Sequence, residues 1–467
     1  MWLECGVKNE HYDFVVIGGG SAGYAAARTA RETLERVAII DDAEELGGLC
    51  ILRGCMPSKT LIYSAEVLHL AKHAGKFGLH IPEASADMPS LHQRKLATIE
   101  DFASYRRGQL ESDRFHLIRD RASFVDERTL LLATSGKHIT ADHFMIATGS
   151  TVNTPDVPGL REIPHWTSDD VLELDFVPES VIVLGGGIVA CELAQFLARI
   201  GSRVIMIQRS QCILKEASPE AVGVVTQVFL EEGIEVHTGT QLTAVEKKGN
   251  EFVVTFSKDG ATQEVSAMHL LNALGRRPNV AGLNLTNAGV ETQPSGRIRV
   301  NEMQQSSTPH IYAGGDVASP HEIVHLAVMQ GEIAAKHATG RAVDALNYDH
   351  LTGVIFTDPQ IATAGIPVAE ALERGMDLVI ATYPFDDHGK SILMEAKHGY
   401  VKAWADRASG KLIGAECVGK DAGELIHSMA VAITLEAKPQ DLLKVHWYHP
   451  TLSEIWSYPL EELVEGM

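Results

Sequence analysis

Cysteine is scarce in this chain, with six in 467 residues. That density excludes a disulfide-stapled secreted scaffold, which needs many bridges to compensate for a small core. An apolar signal core is also lacking, because the chain opens Met1-Trp2-Leu3-Glu4-Cys5-Gly6-Val7-Lys8. Together these point to a reducing, cytoplasmic setting. Long apolar runs are missing too. The most apolar stretch, Val181 to Ile200, is interrupted by a glycine run and Glu192 and reads as strand, turn and helix, so no membrane span or anchor is expected. Positive charge is the minority sign: Lys plus Arg is 40 against 61 Asp plus Glu, a formal −21, which argues against nucleic acid or an anionic membrane face as partner. Low-complexity tracts are absent. What is present is 45% hydrophobic content over a length that holds about three domains of roughly 150 residues each.

The apolar run Asp13-Phe14-Val15-Val16-Ile17 leads into Gly18-Gly19-Gly20-Ser21-Ala22-Gly23, then an alanine-rich helix expected to reach about Glu35, then the strand Val37-Ala38-Ile39-Ile40 and Asp41. Strand, glycine turn, helix, strand and terminal acid spell a dinucleotide-binding βαβ unit. Gly18 and Gly20 permit the tight turn and close backbone approach, Gly23 belongs to the same fingerprint, the helix N-terminus receives a pyrophosphate, and Asp41 bonds ribose hydroxyls.

The grammar recurs at Val181-Ile182-Val183-Leu184, Gly185-Gly186-Gly187, a helix to about Ile200 and the strand Val204-Ile205-Met206-Ile207. Two dinucleotides are implied. Asp41 stands 23 positions after Gly18, and the same step from Gly185 reaches Gln208, with Arg209 next. An amide followed by Arg209 and Lys215 suits a 2′-phosphate better than a carboxylate does, which favours NADPH over NADH; solvated loop cations are the plainer reading of the two basic residues.

Between and after these units, Phe144 to Ser150 reads as a strand ending in a turn, Thr154-Pro155-Asp156-Val157-Pro158-Gly159 as a crossing between domains, and Ile311-Tyr312-Ala313-Gly314-Gly315-Asp316 as a strand running into a glycine turn with an acid. Beyond about 346 the strand at Gly399 to Trp404 and the helix at Gly423 to Leu435 indicate an α+β domain. The expected division is 1–150 and 281–345 as one discontinuous nucleotide domain, 151–280 as the second, and 346–467 as the third.

Chemistry concentrates in Gly47-Gly48-Leu49-Cys50-Ile51-Leu52-Arg53-Gly54-Cys55-Met56-Pro57-Ser58-Lys59. Two cysteines five positions apart make a small redox loop, since a structural bridge closing so short a loop would add little stability. Pro57 to Leu61 reads as a helix start, where the dipole and Lys59 favour thiolate at Cys55. Near the C-terminus His449 and Glu454, five apart across Pro450, could bring a carboxylate to one ring nitrogen and leave the other to exchange protons. His446 nearby raises a metal-site reading, which is set aside; no metal is expected. Cys5, Cys191, Cys212 and Cys417 read as structural or incidental thiols.

The doubled nucleotide unit, the Cys50/Cys55 segment, Tyr312 to Asp316 and His449-Pro450-Thr451-Leu452-Ser453-Glu454 together resemble the class I pyridine nucleotide-disulfide oxidoreductases across essentially the whole chain. That family includes dihydrolipoyl dehydrogenase, to which the His-Pro-Thr-Leu-Ser-Glu wording is most similar, together with glutathione reductase and mercuric reductase. The resemblance implies an α/β fold of two Rossmann-like domains plus an α+β dimerisation domain, FAD with NADPH or NADH, and a homodimer acting on a small disulfide or dithiol. It implies Cys50 as the interchange thiol, Cys55 as the thiol facing the flavin, a Lys59–Glu192 pair beside the ring, and a proton exchanged by His449 across the dimer. It adds Gly48, Thr148, Gly149, Asp316 and Ala327 to the flavin shell and Gly275 to the nucleotide's. The tail Leu460 to Met467 lacks the cysteine pair that delivers the ion in mercuric reductases, which counts against that member. A module carrying flavin only as structure is the expectation from a different class.

Overall fold

In the computed structural model, residues 10–467 are described; Cys5 and the opening Met1 to Lys8 lie outside them. The described chain forms two compact units, one running to Thr60 and continuing through His92–Asn153 and Gly275–Leu346, the other made of Leu61–Leu91, Thr154–Leu274 and Asn347–Met467.

In the first unit, β1 (Glu10–Ile17), α1 (Ser21–Ala30) and β2 (Val37–Ile40) are the expected βαβ element. Phe14, Val15 and Val16 are fully buried, as an inner strand covered on both faces requires. β1 pairs in parallel with β2, Phe14 opposite Val37, and with His138–Ile146, Val15 opposite Phe144. The sheet runs His116–Ile118, β2, β1, His138–Ile146, Thr129–Leu132, Ala122–Asp126, and Ile311–Ala313 adds in parallel to His138–Ile146. The helix α1 ends at Ala30, short of Glu35, because the N–H groups of Glu32 and Thr33 turn to carbonyls three residues back and tighten the last turn away from the helix.

The second unit repeats the element as β3 (Ser180–Leu184), α4 (Ile188–Ile200) and β4 (Arg203–Ile207), the helices α2 (Leu49–Arg53) and α3 (Cys55–Lys72) preceding them in the chain. Its parallel sheet is ordered Glu235–His237, β4, β3, His269–Asn272. A separate five-stranded antiparallel sheet, Thr352–Ile355, Gln360–Gly365, Leu412–Gly419, Tyr400–Asp406 and Leu378–Pro384, packs its apolar face on the helices Ala422–Thr434 and Ser457–Gly466. Trp456 is fully buried there, with its indole N–H donating to the Leu425 carbonyl at 3.1 Å. Each such side chain contributes about 1.5–3 kcal/mol through burial. Among the described residues no helix is long and apolar enough to cross a membrane.

Candidate active site

Cys50 lies in the short α2 and Cys55 opens the 18-residue α3, so the expected loop is helical on both sides of Gly54 and the second helix begins two residues before Pro57. Gly54 is the reason. It breaks the helix at φ −134°, ψ −116°, and a Cβ there would meet the Leu49 carbonyl oxygen at 2.9 Å and the Cys50 Cα at 3.1 Å. Only glycine lets the chain fold back so closely. Pro57 fits inside the first turn of α3 because no intrahelical acceptor awaits its missing N–H, and the Ser58 hydroxyl donates to the Gly54 carbonyl at 2.8 Å. Both thiols are half-buried. The hydrogen bond between Cys55 and Cys50 pushes the Cys50 thiol well above its ordinary value, burial adds to this, and the pull of Lys59 in the opposite direction is too weak to reverse it.

Around the first glycine turn, the backbone is bare enough for a dinucleotide. Gly20 caps α1 without any side-chain hydrogen bond, leaving first-turn amides open, and a Cβ on Gly48 would fall 2.7 Å from the Gly20 Cα. Gly18 takes a positive φ of 99°, and Asp41 at the end of β2 accepts from the Gly19 N–H at 2.7 Å and the Ala43 N–H at 2.9 Å. These residues fit FAD. Elsewhere in the unit Thr148 donates to the Asn279 carbonyl at 2.7 Å, ahead of Gly149, and Ala327 is buried in the helix Val324–Ala338. Asp316 accepts from the Ser150 hydroxyl at 2.7 Å, which in turn takes the Arg276 Nε–H at 2.7 Å. Ser150 and Arg276 escaped the sequence reading; a Ser after the Ala-Thr-Gly turn and an Arg after Gly275 carry no pattern until the strand pair Ser150–Val152 with Arg276–Pro278 joins them.

At the second glycine turn, Gly185 has φ 114° and Gly187 caps α4 with no side-chain bond and open space around it. This fits a second dinucleotide. The Gln208 side chain lies against Gly186, 2.9 Å from where a Cβ would stand, and its Oε1 accepts the Arg209 N–H at 3.1 Å. Arg209 is exposed. Lys215 pairs with Glu216 at 3.1 Å in an open surface contact, and such pairs contribute little. Gly275 falls in the first unit, with φ 96°.

Glu192 is buried on α4, its Oε1 accepting the Phe356 N–H at 2.9 Å. Gln195 and Arg199 share that face. Gln195 exchanges two hydrogen bonds with the Asp358 backbone, at 2.7 and 2.8 Å, and Arg199 pairs with Glu232 at 2.6 Å and Asp358 at 2.9 Å. Polar residues at i, i+3 and i+7 of an otherwise apolar helix were the available signal.

His449 and Glu454 meet as expected: Nδ1 lies 3.0 Å from both carboxylate oxygens. The His449 side chain is 76% exposed and that of Glu454 9%, so the buried carboxylate anchors the ring and Nε2 faces outward. Behind Glu454 stands His388, buried, with Nε2 3.4 Å from Oε1. Nothing in the local sequence singled it out.

A pair of Rossmann-like nucleotide units, a half-buried dithiol at a helix start and a carboxylate-held histidine define a flavin- and nicotinamide-dependent oxidoreductase acting on sulfur. Residues 12–331 match the pyridine nucleotide-disulphide oxidoreductase family and residues 351–458 its dimerisation domain, and the chain belongs to that family. It is an enzyme that uses FAD and NAD(P)H. It is 33% identical to a mercuric reductase of Staphylococcus aureus, over 96% of this chain and 81% of that one, and 34% identical to dihydrolipoyl dehydrogenase of Bacillus subtilis, over 94% and 96%. Among solved structures it is similar to LpdA from Mycobacterium tuberculosis, with TM-score 0.86, 27% identity and coverage of 97% and 99%. The HOCl-induced flavoprotein disulfide reductase RclA from Escherichia coli shares the fold at TM-score 0.85 and 23% identity, over 96% and 99%.

Proposed function

We propose that this enzyme reduces a small disulfide at the expense of NADPH, with Cys50 and Cys55 as a redox-active pair. The observation that carries this reading is the hydrogen-bonded dithiol at the start of α3. Bound FAD supplies two-electron exchange between the nicotinamide and this pair. Because Cys50 holds its proton above the ordinary thiol range, it needs a base, and His449 Nε2 takes that proton. Cys50 sulfur then attacks the substrate disulfide, forming a mixed disulfide and releasing one thiolate, which His449 protonates. Cys55 then gives its proton to His449 and attacks the Cys50 sulfur; the second thiolate leaves, takes that proton and the Cys50–Cys55 bridge closes, so two electrons and two protons leave the pair and the substrate disulfide becomes two thiols.

Lys59 pairs with Glu192 beside the flavin in this reading. The dimerisation domain builds a homodimer, placing His449 beside the cysteine pair of the partner subunit. Gln208 and Arg209 are the basis for NADPH, and the scarcity of cysteine is the basis for a cytoplasmic setting. Oxidation of dihydrolipoamide with NAD is the second reading, favoured by the His-Pro-Thr-Leu-Ser-Glu wording shared with the dihydrolipoyl dehydrogenases. Steady-state assays with NADPH and NADH against glutathione disulfide, lipoamide and Hg(II) separate the readings. Cys50→Ser is expected to lower disulfide turnover by at least about 10³-fold, in the range of losing a catalytic nucleophile. Retention of full turnover in that variant rejects the dithiol mechanism.

A further inference from the structure

The third group in the His449–Glu454 corner is His388, and its surroundings are unusual for a buried imidazole. The side chain is wholly buried. Nδ1 lies 2.8 Å from the Ser391 hydroxyl, itself buried, and Nε2 forms no hydrogen bond among the described residues while standing 3.4 Å from Glu454 Oε1. A buried N–H without a good acceptor costs about 1–3 kcal/mol, so the long 3.4 Å approach of Nε2 to the Glu454 carboxylate is a contact poised to shorten. The tautomer follows from the same geometry. With the Ser391 hydroxyl donating to Nδ1, the ring proton sits on Nε2; the other tautomer would set a lone pair against the carboxylate.

We propose that His388 is a positioning residue, whose Nε2–H holds the Glu454 carboxylate in line with His449 during disulfide exchange. The proposal rests on the reading of His449 as acid–base group. Among the described residues Glu454 is the carboxylate against the His388 ring; His449 lies beyond it, Tyr458 packs edge-on at 6.3 Å, and Tyr383, stacked on Tyr458 at 4.0 Å, bonds Asp387. Burial holds His388 below the ordinary imidazole range, and Glu454, pulling upward, does not overcome it. Burial thus favours the neutral imidazole at His388, and a neutral donor steadies the carboxylate without cancelling its charge.

Two measurements test this on the FAD-loaded enzyme. Ring 15N spectra of histidine-labelled wild type are expected to show one buried histidine that is neutral and Nε2-protonated at about pH 8, and that changes in Glu454→Gln. A histidine protonated at Nδ1, or one indifferent to Glu454→Gln, overturns the proposal without requiring any His388 variant to fold. Replacing His388 by Leu is expected to lower kcat/KM for the disulfide by about tenfold, part of the 10²–10⁴ that acid–base catalysis supplies, and to move the pH profile of kcat/KM upward because the carboxylate loses a donor. His388→Gln, which keeps a neutral N–H donor, is expected to restore both. An unmoved pH profile in His388→Leu, or equal losses in the Leu and Gln variants, overturns the proposal. His449→Ala reports on the parent reading: full turnover there removes the acid–base role and this proposal with it, whereas lost turnover there beside an unchanged His388→Leu removes this proposal alone.

Discussion

The two dinucleotide units share a backbone and differ in the chemistry at one strand end. Each has an inner parallel strand, a glycine turn opening at positive φ, and a helix whose glycine cap leaves its first-turn amides unbonded. At the end of the second strand, Asp41 turns a carboxylate back to the Gly19 N–H, whereas Gln208 lays a neutral amide along Gly186 and leaves exposed Arg209 beside it. In the proposed reading the shared backbone receives a pyrophosphate, and Gln208 with Arg209 selects what the second ribose carries. The units differ also in packing tolerance. Gly23 is hemmed in, a Cβ there falling 1.8 Å from the Gly18 carbonyl oxygen, while Gly187 has open space around it.

That packing contrast gives the largest expected effect. Gly23→Ala forces backbone apart and should cost about 3 kcal/mol or more in unfolding free energy, with loss of bound FAD, while Gly187→Ala should leave the denaturation midpoint in place and raise the KM for the nicotinamide nucleotide. Urea unfolding and nucleotide saturation curves measure the two sides. Equal midpoints for both variants would erase the contrast.

The strand-end difference predicts a smaller, chemical effect. Gln208→Glu together with Arg209→Ala should shift the ratio of kcat/KM for NADPH over NADH toward NADH by about tenfold or more, roughly 1.4 kcal/mol in differential binding. Asp41→Asn should leave that ratio alone, because it belongs to the other nucleotide. An unmoved ratio in the double variant means that Gln208 and Arg209 do not read the ribose.

The smallest effect concerns pH and separates the units by their buried charge. His69 in the second unit is held down to about 4, first by burial and then by the Arg199 cation, although Glu232 lies 3.8 Å away. Arg199 engages that carboxylate at 2.6 Å, so little of its charge reaches the imidazole. As pH falls below the ordinary imidazole value of 6.5, the unfolded chain takes a proton that the folded chain refuses until about 4. Stability therefore declines through that window on acidification and is unaffected by this group above it. His69→Gln should flatten the decline, read as urea midpoints compared at pH 7 and 5. An identical slope in the variant shows that His69 does not carry the acid sensitivity.

Much of the architecture was legible because local rules and tertiary needs coincide. β1, β2, β3 and Ile311–Ala313 fall on the apolar runs that mark them, and α4 ends at Ile200 before Gly201. The cysteine segment was read as a loop up to a helix start at Pro57 because Gly48 and Gly54 signal a loop, while the close return of the chain onto Leu49 makes Gly54 a break between helices. Lys215 was counted with Arg209 on charge alone, and in the structure it lies 3.1 Å from Glu216 in an exposed surface pair. The His449–Glu454 contact was readable from five-residue spacing; Ser150, Arg276, Arg199 and His388 were not, because their partners lie far away in sequence.

By itself the order of residues determined that two glycine turns follow apolar strands, that one strand ends in an acid and the other in an amide and a cation, and that two cysteines stand five apart. Those are matters of steric freedom, hydrophobic period and side-chain charge, which act over a few residues. Only the tertiary structure decided that Cys55 and burial raise the Cys50 thiol, that Glu454 is buried between an exposed histidine and a buried one, and that Asp316 is met by Ser150, which Arg276 in turn holds. Proton affinity and hydrogen-bond direction depend on burial and on what distant strands bring within about 3 Å, and neither is encoded in local spacing.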